Sequence, residues 1–172
     1  VEYGDYTLNH VTGCSHGCKY PCYAYMMAKR FKKVSSYEEW IQPKLVDNIF
    51  PLLSKELPKY REKIRTLHLC FSTDPYMYGH PEICRVSTQI IEKANVFGVH
   101  CSVLTKGILP IELANMPLEN EYGITVVTLD ENFRMEMEPG AAPMEERIRA
   151  LEALSEQGCY TWISIEPYPT PN

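Results

Sequence analysis

From residue 60 onward the apolar residues switch repeatedly between a period of two and a period of 3.6, and few architectures accept that order. Thr66 to Phe71 alternates, with Leu67, Leu69 and Phe71 on one side and His68 and Cys70 on the other, as in a half-buried strand. Asp74-Pro75 breaks it. Pro81 can open a helix, and Ile83, Val86, Ile90, Ala94 and Phe97 keep helical spacing as far as Gly98. Val99 to Leu104 reads as the next strand, a short helical stretch follows near Ile111 to Met116, and Gly123 to Leu129 is again rich in β-formers. Pro143 opens a further helix, with Met144, Ile148, Leu151 and Leu154 as its apolar stripe and Gly158 as its stop, before a strand over Tyr160 to Ile165. Strands joined through helices run parallel with right-handed crossovers, so an open sheet or an incomplete barrel of about five strands is expected. Functional residues then belong at the C-terminal strand ends. Upstream, Tyr23 to Phe31 and roughly Tyr37 to Tyr60 look helical, the second cut or bent by Pro43, Pro51 and Pro58.

The 172 residues are 45% hydrophobic and 23% charged, which excludes a disordered chain. No apolar run approaches the ~18 residues needed to span a bilayer, and no signal-peptide pattern opens the chain. Residues 1–172 read as one domain. Because the sequence starts on Val1 and stops abruptly after Pro171-Asn172, it is expected to be a C-terminally truncated excerpt of a longer protein. The net charge of −5 is uneven: residues 1 to 64 hold ten Lys or Arg against seven Asp or Glu, and residues 65 to 172 hold seven against fifteen. That balance gives no support to nucleic-acid binding, although Lys29, Arg30, Lys32 and Lys33 form a local basic patch that a solvated helix face explains better.

Seven cysteines is an odd number for a disulfide framework. Cys70, Cys84, Cys101 and Cys159 sit singly in apolar segments and read as small core residues. Cys14, Cys18 and Cys22 fall within nine residues beside glycines, which reads as reduced thiols on a metal centre in the cytoplasm. Three thiolates on a short loop can wrap one face of a [4Fe-4S] cube and leave one iron without a protein ligand, as a catalytic cluster requires. Zinc is the competitor, since His16 lies between the cysteines. His16 is only two residues from both Cys14 and Cys18, however, which is tight for a shared tetrahedral site, and no second cysteine pair is present.

The run Gly13-Cys14-Ser15-His16-Gly17-Cys18-Lys19-Tyr20-Pro21-Cys22-Tyr23-Ala24-Tyr25 is similar to the cluster loop of the radical S-adenosylmethionine superfamily. It is most similar to the branch that contains spore photoproduct lyase and relatives labelled DNA repair photolyase. That branch has two residues between its last two cysteines; here there are three, with Pro21 as an insertion after the aromatic position held by Tyr20. The resemblance extends through Ser72-Thr73-Asp74-Pro75-Tyr76, Thr105-Lys106, Thr128-Leu129-Asp130, and Glu138-Pro139 with Pro143 and Arg147. It implies a parallel partial (β/α)6 TIM-type barrel of the radical SAM type, with about five βα units present.

The same resemblance implies the cofactors and the chemistry. A [4Fe-4S] cluster would be held by Cys14, Cys18 and Cys22. S-adenosylmethionine would be cleaved reductively to a 5′-deoxyadenosyl radical that abstracts hydrogen from a substrate, with an electron donor such as a flavodoxin or ferredoxin. Nucleic-acid photoproduct repair is the best-known activity of the branch. Tyr20 would pack on adenine, and Asp74, with Ser72 and Thr73 beside it, would accept the methionine ammonium. Lys106 would meet the carboxylate, and Thr128 and Asp130 would contact ribose or methionine. Cys70 would be a candidate hydrogen-atom donor.

Each of these residues also has an ordinary structural reading. Asp74, Thr128 and Asp130 suit caps and turns, Lys106 an exposed loop, and Cys70 a buried thiol. Arg147 stands in the first turn of a helix, where a cation opposes the dipole and needs an anionic partner: Glu138, Glu145 or the cofactor carboxylate. His10, His68, His80 and His100 have no metal spacing and read as structural. Two other functions fit the cysteine loop: a zinc-stabilised nucleic-acid-binding module and a non-catalytic iron-sulfur electron-transfer protein.

Overall fold

The structure, a computed structural model, describes residues 5–167. In chain order the strands are β1 (Tyr6–Leu8), β2 (Val11–Thr12), β3 (Lys44–Leu45), β4 (Thr66–Leu69), β5 (His100–Thr105), β6 (Glu121–Thr125) and β7 (Tyr160–Ser164). The helices are α1 (Tyr23–Arg30), α2 (Tyr37–Trp40), α3 (Ile49–Tyr60), α4 (Pro81–Val96), α5 (Glu131–Met137) and α6 (Met144–Glu156). Five strands form one parallel sheet in the order β1-β4-β5-β6-β7, as the alternating pattern requires, and β2 pairs antiparallel with β3 beside it. This is the parallel partial barrel expected of the sequence.

Register divides the sheet into two unlike faces. Leu67 pairs with Cys101, Leu69 with Val103, and Val103 in turn with Tyr122, so these side chains share one face with Ile124. They form the core with Leu53 and Leu57 of α3, Ile90, Ile91 and Ala94 of α4, and Leu151 and Leu154 of α6. The other face carries His68, Ser102, Thr125 and Ser164, all buried and all polar. There Gly123 leaves room for an indole: a Cβ on it would lie 2.5 Å from the ring of Trp162. One face is thus an apolar floor for helices and the other a polar concavity at which chemistry can be sited.

Three boundaries differ from the sequence expectation. The helix expected over Tyr37 to Tyr60 is two helices with a strand between them. Pro43 ends the first part, Lys44–Leu45 pairs with Val11–Thr12, and the chain re-enters helix at Ile49. Pro51 is tolerated because it lies in the first turn of α3, where the backbone N–H has no partner within the helix. The strand expected over Gly123 to Leu129 instead spans Glu121–Thr125. Its start is set by Asn120, whose side chain accepts from the Cys101 N–H at 2.7 Å. Beyond it, Asp130 caps α5 by accepting from the N–H groups of Asn132 (2.9 Å) and Phe133 (3.3 Å). Last, β4 stops at Leu69, because Cys70 has a left-handed backbone with φ 58°. No helix among the described residues is long and apolar enough to cross a membrane.

Candidate active site

The cysteine loop runs from β2 to α1 and is fixed at several points along its backbone. Cys14 N–H donates to the Trp40 carbonyl (2.9 Å), and Lys19 N–H donates to that of Met137 (2.9 Å). The loop also receives bonds: Gly140 N–H donates to the His16 carbonyl (2.9 Å), and the Tyr37 hydroxyl to the Cys18 carbonyl (3.2 Å). Gly13 turns the chain with φ 77°, and a Cβ there would sit 2.7 Å from the Trp40 carbonyl oxygen. At Gly140 the approach is closer still: a Cβ would lie 2.1 Å from the Ser15 carbonyl oxygen. Backbone cannot yield there without moving the loop. Gly140→Ala is therefore expected to lower iron incorporation several-fold while the far-ultraviolet circular dichroism stays native, since the clash is local.

Cys14, Cys18 and Cys22 line one cavity of about 180 Å³ at the C-terminal ends of the strands, together with Cys70, Asp74 and Lys106. Ser72 and Thr73 are on its wall as well. The Ser72 hydroxyl donates to Asn9 Oδ1 (3.1 Å), and the Thr73 hydroxyl to the Val11 carbonyl (3.1 Å). Asp74 ties two strand ends together. Its Oδ1 accepts from Tyr76 N–H (2.8 Å) and the Thr105 hydroxyl (2.6 Å), and its Oδ2 accepts from Lys106 N–H (2.7 Å) and faces His16 Nδ1 at 3.7 Å. Gly107 lets the chain turn immediately afterwards, where a Cβ would lie 1.7 Å from the Tyr76 carbonyl oxygen.

Behind the loop lies a buried charge network centred on Glu138, whose side chain is 0% exposed. Its Oε1 is 2.5 Å from Lys106 Nζ, its Oε2 is 3.3 Å from Arg147 Nη2, and it accepts the Tyr20 hydroxyl. Lys106 Nζ also lies over the Tyr20 ring at 4.7 Å and reaches within 3.8 Å of Cys18 Sγ. Burial opposes the Glu138 charge, but Lys106, Tyr20 and Arg147 together outweigh it and hold the carboxyl below its usual range. Arg147 completes its own donors on the carbonyls of Ala142 (2.8 Å) and Thr125 (2.9 Å). Glu138 is thus the anionic partner that its position at a helix start demanded.

The structure brings Cys14, Cys18, Cys22, Cys70, Ser72, Thr73, Asp74 and Lys106 to one cavity, with Tyr20 behind it through Lys106. It does not bring Thr128, Asp130 or Arg147 there. The Thr128 hydroxyl oxygen accepts from Asp130 N–H (3.0 Å), and Asp130 caps α5. Arg147 is fully buried beneath Glu138. Sequence reasoning gave Glu138 no site role of its own and passed over Gly140. Glu138 carried a signal, as an acid nine residues before an arginine that needed a partner; Gly140 carried none.

The donor set suits an iron-sulfur cluster. Three thiols share one cavity wall, and Lys106 stands beside Cys18, where it favours the thiolate. Burial pushes the thiols of Cys14 and Cys18 up, a cost that metal ligation removes. Two buried polar atoms of the loop, Ser15 Oγ and His16 Nε2, have no hydrogen-bond partner among the described residues. Among the described residues no three His, Cys, Asp or Glu side chains converge on a single metal-ion position.

The family model of the Radical SAM superfamily matches residues 8–169. An uncharacterized protein of Acidianus two-tailed virus is 27% identical over 181 residues, covering 97% of this chain and 57% of that protein. One from Methanocaldococcus jannaschii is 26% identical over 165 residues, covering 94% and 60%. The chain thus spans between about half and three fifths of the length of such relatives. Among solved structures, spore photoproduct lyase complexed with dinucleoside spore photoproduct superposes with a TM-score of 0.72 at 14% identity, over 95% of this chain and 46% of that one. A double mutant of that enzyme with bound AdoMet and the same dinucleoside gives a TM-score of 0.66 at 15% identity, over 95% and 46%.

Proposed function

The chain belongs to the radical S-adenosylmethionine superfamily, and from that membership we propose that it is an enzyme whose [4Fe-4S] cluster supplies the electron that cleaves S-adenosylmethionine to methionine and a 5′-deoxyadenosyl radical. The observation that carries this reading is the single cavity lined by Cys14, Cys18, Cys22, Asp74 and Lys106 at the strand ends. The three cysteines hold the cluster. Lys106 offers its ammonium to the cofactor carboxylate from its place over the Tyr20 ring. Asp74, with Ser72 and Thr73, offers the acceptor for the methionine ammonium and fixes the backbone of Lys106. Arg147 acts one step removed, by orienting Glu138 against Lys106. Thr128 and Asp130 shape the entry to α5. Cys70 is the candidate hydrogen-atom donor on the cavity wall.

The substrate we propose is a nucleic-acid photoproduct, on the strength of the fold shared with spore photoproduct lyase. The acidic balance of residues 65 to 172 lends it nothing. A flavodoxin or ferredoxin suits as electron donor, and the reduced thiols suit the cytoplasm. The test is anaerobic reconstitution followed by paramagnetic resonance of the reduced protein. About four iron per chain and a spectrum that changes when S-adenosylmethionine is added are expected. An unchanged spectrum from a fully loaded protein would instead identify an electron-transfer protein, and bound zinc with no colour a binding module.

A further inference from the structure

The helix that leaves the cysteine loop has an outward face that contact with water alone does not explain. Cys22 is the N-cap of α1, and at 3.6 residues per turn Tyr23, Met26, Lys29 and Arg30 fall on one side of the helix. All four are exposed, while Ala28 on the opposite side is buried. Tyr23 is 58% exposed, Met26 57%, and Phe31 at the C-cap 62%. A solvated face suits the cations, but it gives no reason for three large apolar side chains on one short helix. The patch also adjoins the cavity of the cysteines. The Tyr23 ring meets Phe71 edge-on with centroids 6.4 Å apart, and Phe71 lines that cavity with Cys22. The eight residues of α1 span only about 12 Å, so the whole face lies near the cluster ligands.

Charge singles out the same place. Residues 6 to 37 hold five Lys or Arg and no Asp or Glu, whereas the rest of the chain holds twelve against twenty-two. Lys29, Arg30, Lys32 and Lys33 are all exposed, and among the described residues none of them forms an ion pair with a carboxylate. Glu39 shares a cavity wall with Lys33, but its Oε2 is taken by the N–H (2.7 Å) and hydroxyl (2.6 Å) of Ser35. The helix dipole accounts for Lys29 and Arg30 in the last turn of α1; it does not account for Lys32 and Lys33 beyond it. A chain of net charge −5 thus places its unpaired cations beside the cluster site. An acidic protein is repelled by most of this molecule and drawn to that one side.

We propose that the outer face of α1 is the docking surface for an acidic one-electron carrier protein, with Tyr23, Met26 and Phe31 as its apolar contacts and Lys29, Arg30, Lys32 and Lys33 as its charged rim. The inference rests on the cluster chemistry proposed above. The reduced carrier gives up one electron and is oxidised by one, the cluster held by Cys14, Cys18 and Cys22 is reduced by one, and no atom is transferred. Tyr23 and Met26 stand at the cluster end of the helix and the cations a turn further out. That order, apolar toward the centre and charged at the edge, is the anatomy of a protein interface. A nucleic-acid backbone would call for cations along its whole path, including the part that adjoins the cavity.

The test follows cluster reduction by a reduced flavodoxin in stopped flow. In the reconstituted protein the second-order rate constant should fall steeply as salt is raised. Lys29→Glu with Arg30→Glu should lower it about tenfold or more at low salt and flatten the salt dependence. Met26→Gln should lower it while keeping the salt dependence. Lys55→Glu with Lys63→Glu changes the net charge equally at exposed positions that line neither cavity, and should leave the rate within about twofold. Dithionite should still reduce every variant fully, which shows that the cluster is intact. An unchanged rate in Lys29→Glu with Arg30→Glu, an equal fall in the Lys55 and Lys63 pair, or no reduction of the unsubstituted protein by flavodoxin overturns the proposal. So does binding of a single-stranded oligonucleotide that is lost in Lys29→Glu with Arg30→Glu while the flavodoxin rate persists. A second readout needs no cluster: carbodiimide should join Lys29, Lys32 or Lys33 to flavodoxin carboxylates, and cross-links confined to other lysines overturn the proposal. If the dithionite-reduced protein forms no 5′-deoxyadenosine, the cofactor reading alone fails, and the flavodoxin rates and cross-links decide this inference.

Discussion

Alanine in place of Cys14, Cys18 or Cys22 is expected to abolish both the cluster and 5′-deoxyadenosine formation, leaving less than about one hundredth of either. The fold should survive. Cys22 is the N-cap residue of α1 but makes no side-chain capping bond, so its loss removes no cap. Cys14 and Cys18 are only partly buried, and the loop backbone is tied by main-chain bonds that the substitutions leave intact. Loss of iron with an unchanged thermal midpoint therefore separates ligation from folding. Cys84→Ala is the control: its thiol is half-buried on α4 against the Met77 carbonyl, away from the cavity, and both cluster and product should persist. A Cys22→Ala protein that kept a full cluster would refute the assigned ligand set.

Removing the carboxylate of Glu138 is expected to have the largest effect on stability. Lys106 and Arg147 would be left facing each other in a buried space, and breaking a buried ion pair in this way costs about 3–5 kcal/mol. Glu138→Leu should accordingly unfold at a much lower denaturant midpoint, with the m-value unchanged. Glu138→Gln keeps the shape and part of the hydrogen bonding, so its stability loss should be smaller, while Lys106 loses its anchor and S-adenosylmethionine binding weakens. The pH dependence has a definite sign. Lys106, Tyr20 and Arg147, outweighing burial, hold the Glu138 pKa below its unfolded value of about 4.3. Its contribution is therefore complete above that value and is lost as pH falls through the lower folded value. Stability of the unsubstituted chain should drop in that acid window, and the drop should be shallower in Glu138→Gln. Equal slopes would show that Glu138 is not the titrating group.

Most of the architecture was legible in the sequence because periodicity and punctuation agreed. Pro81 and Gly98 bracket α4, and Pro143 and Gly158 bracket α6, so the helices and the parallel strands between them followed. Short elements carried too little pattern. Seven residues of α5 make two turns, and their only marker was Asp130, which equally suited a ligand contact. The two-residue strand β3 depends on a partner more than thirty residues away, so nothing local announces it. In the site, the three cysteines stood out by their close spacing beside glycines, and the structure brings them to one cavity. Arg147 was legible as a problem, a cation at a helix start, and the structure supplies the solution in Glu138. Gly140 was silent, because close approach to Ser15 exists only once the loop is docked.

Cleavage of S-adenosylmethionine in the cavity of Cys14, Cys18, Cys22, Asp74 and Lys106 is the step on which the proposed function depends. The most direct measurement is the yield of 5′-deoxyadenosine from the anaerobically reconstituted, reduced protein with S-adenosylmethionine and no added substrate. Slow formation of 5′-deoxyadenosine and methionine in equal amounts is expected, abolished in Cys18→Ala and reduced at least tenfold in Lys106→Met, which loses about 1.4 kcal/mol or more of cofactor binding. A protein with an intact cluster that forms neither product, at any concentration of S-adenosylmethionine or reductant, would contradict it.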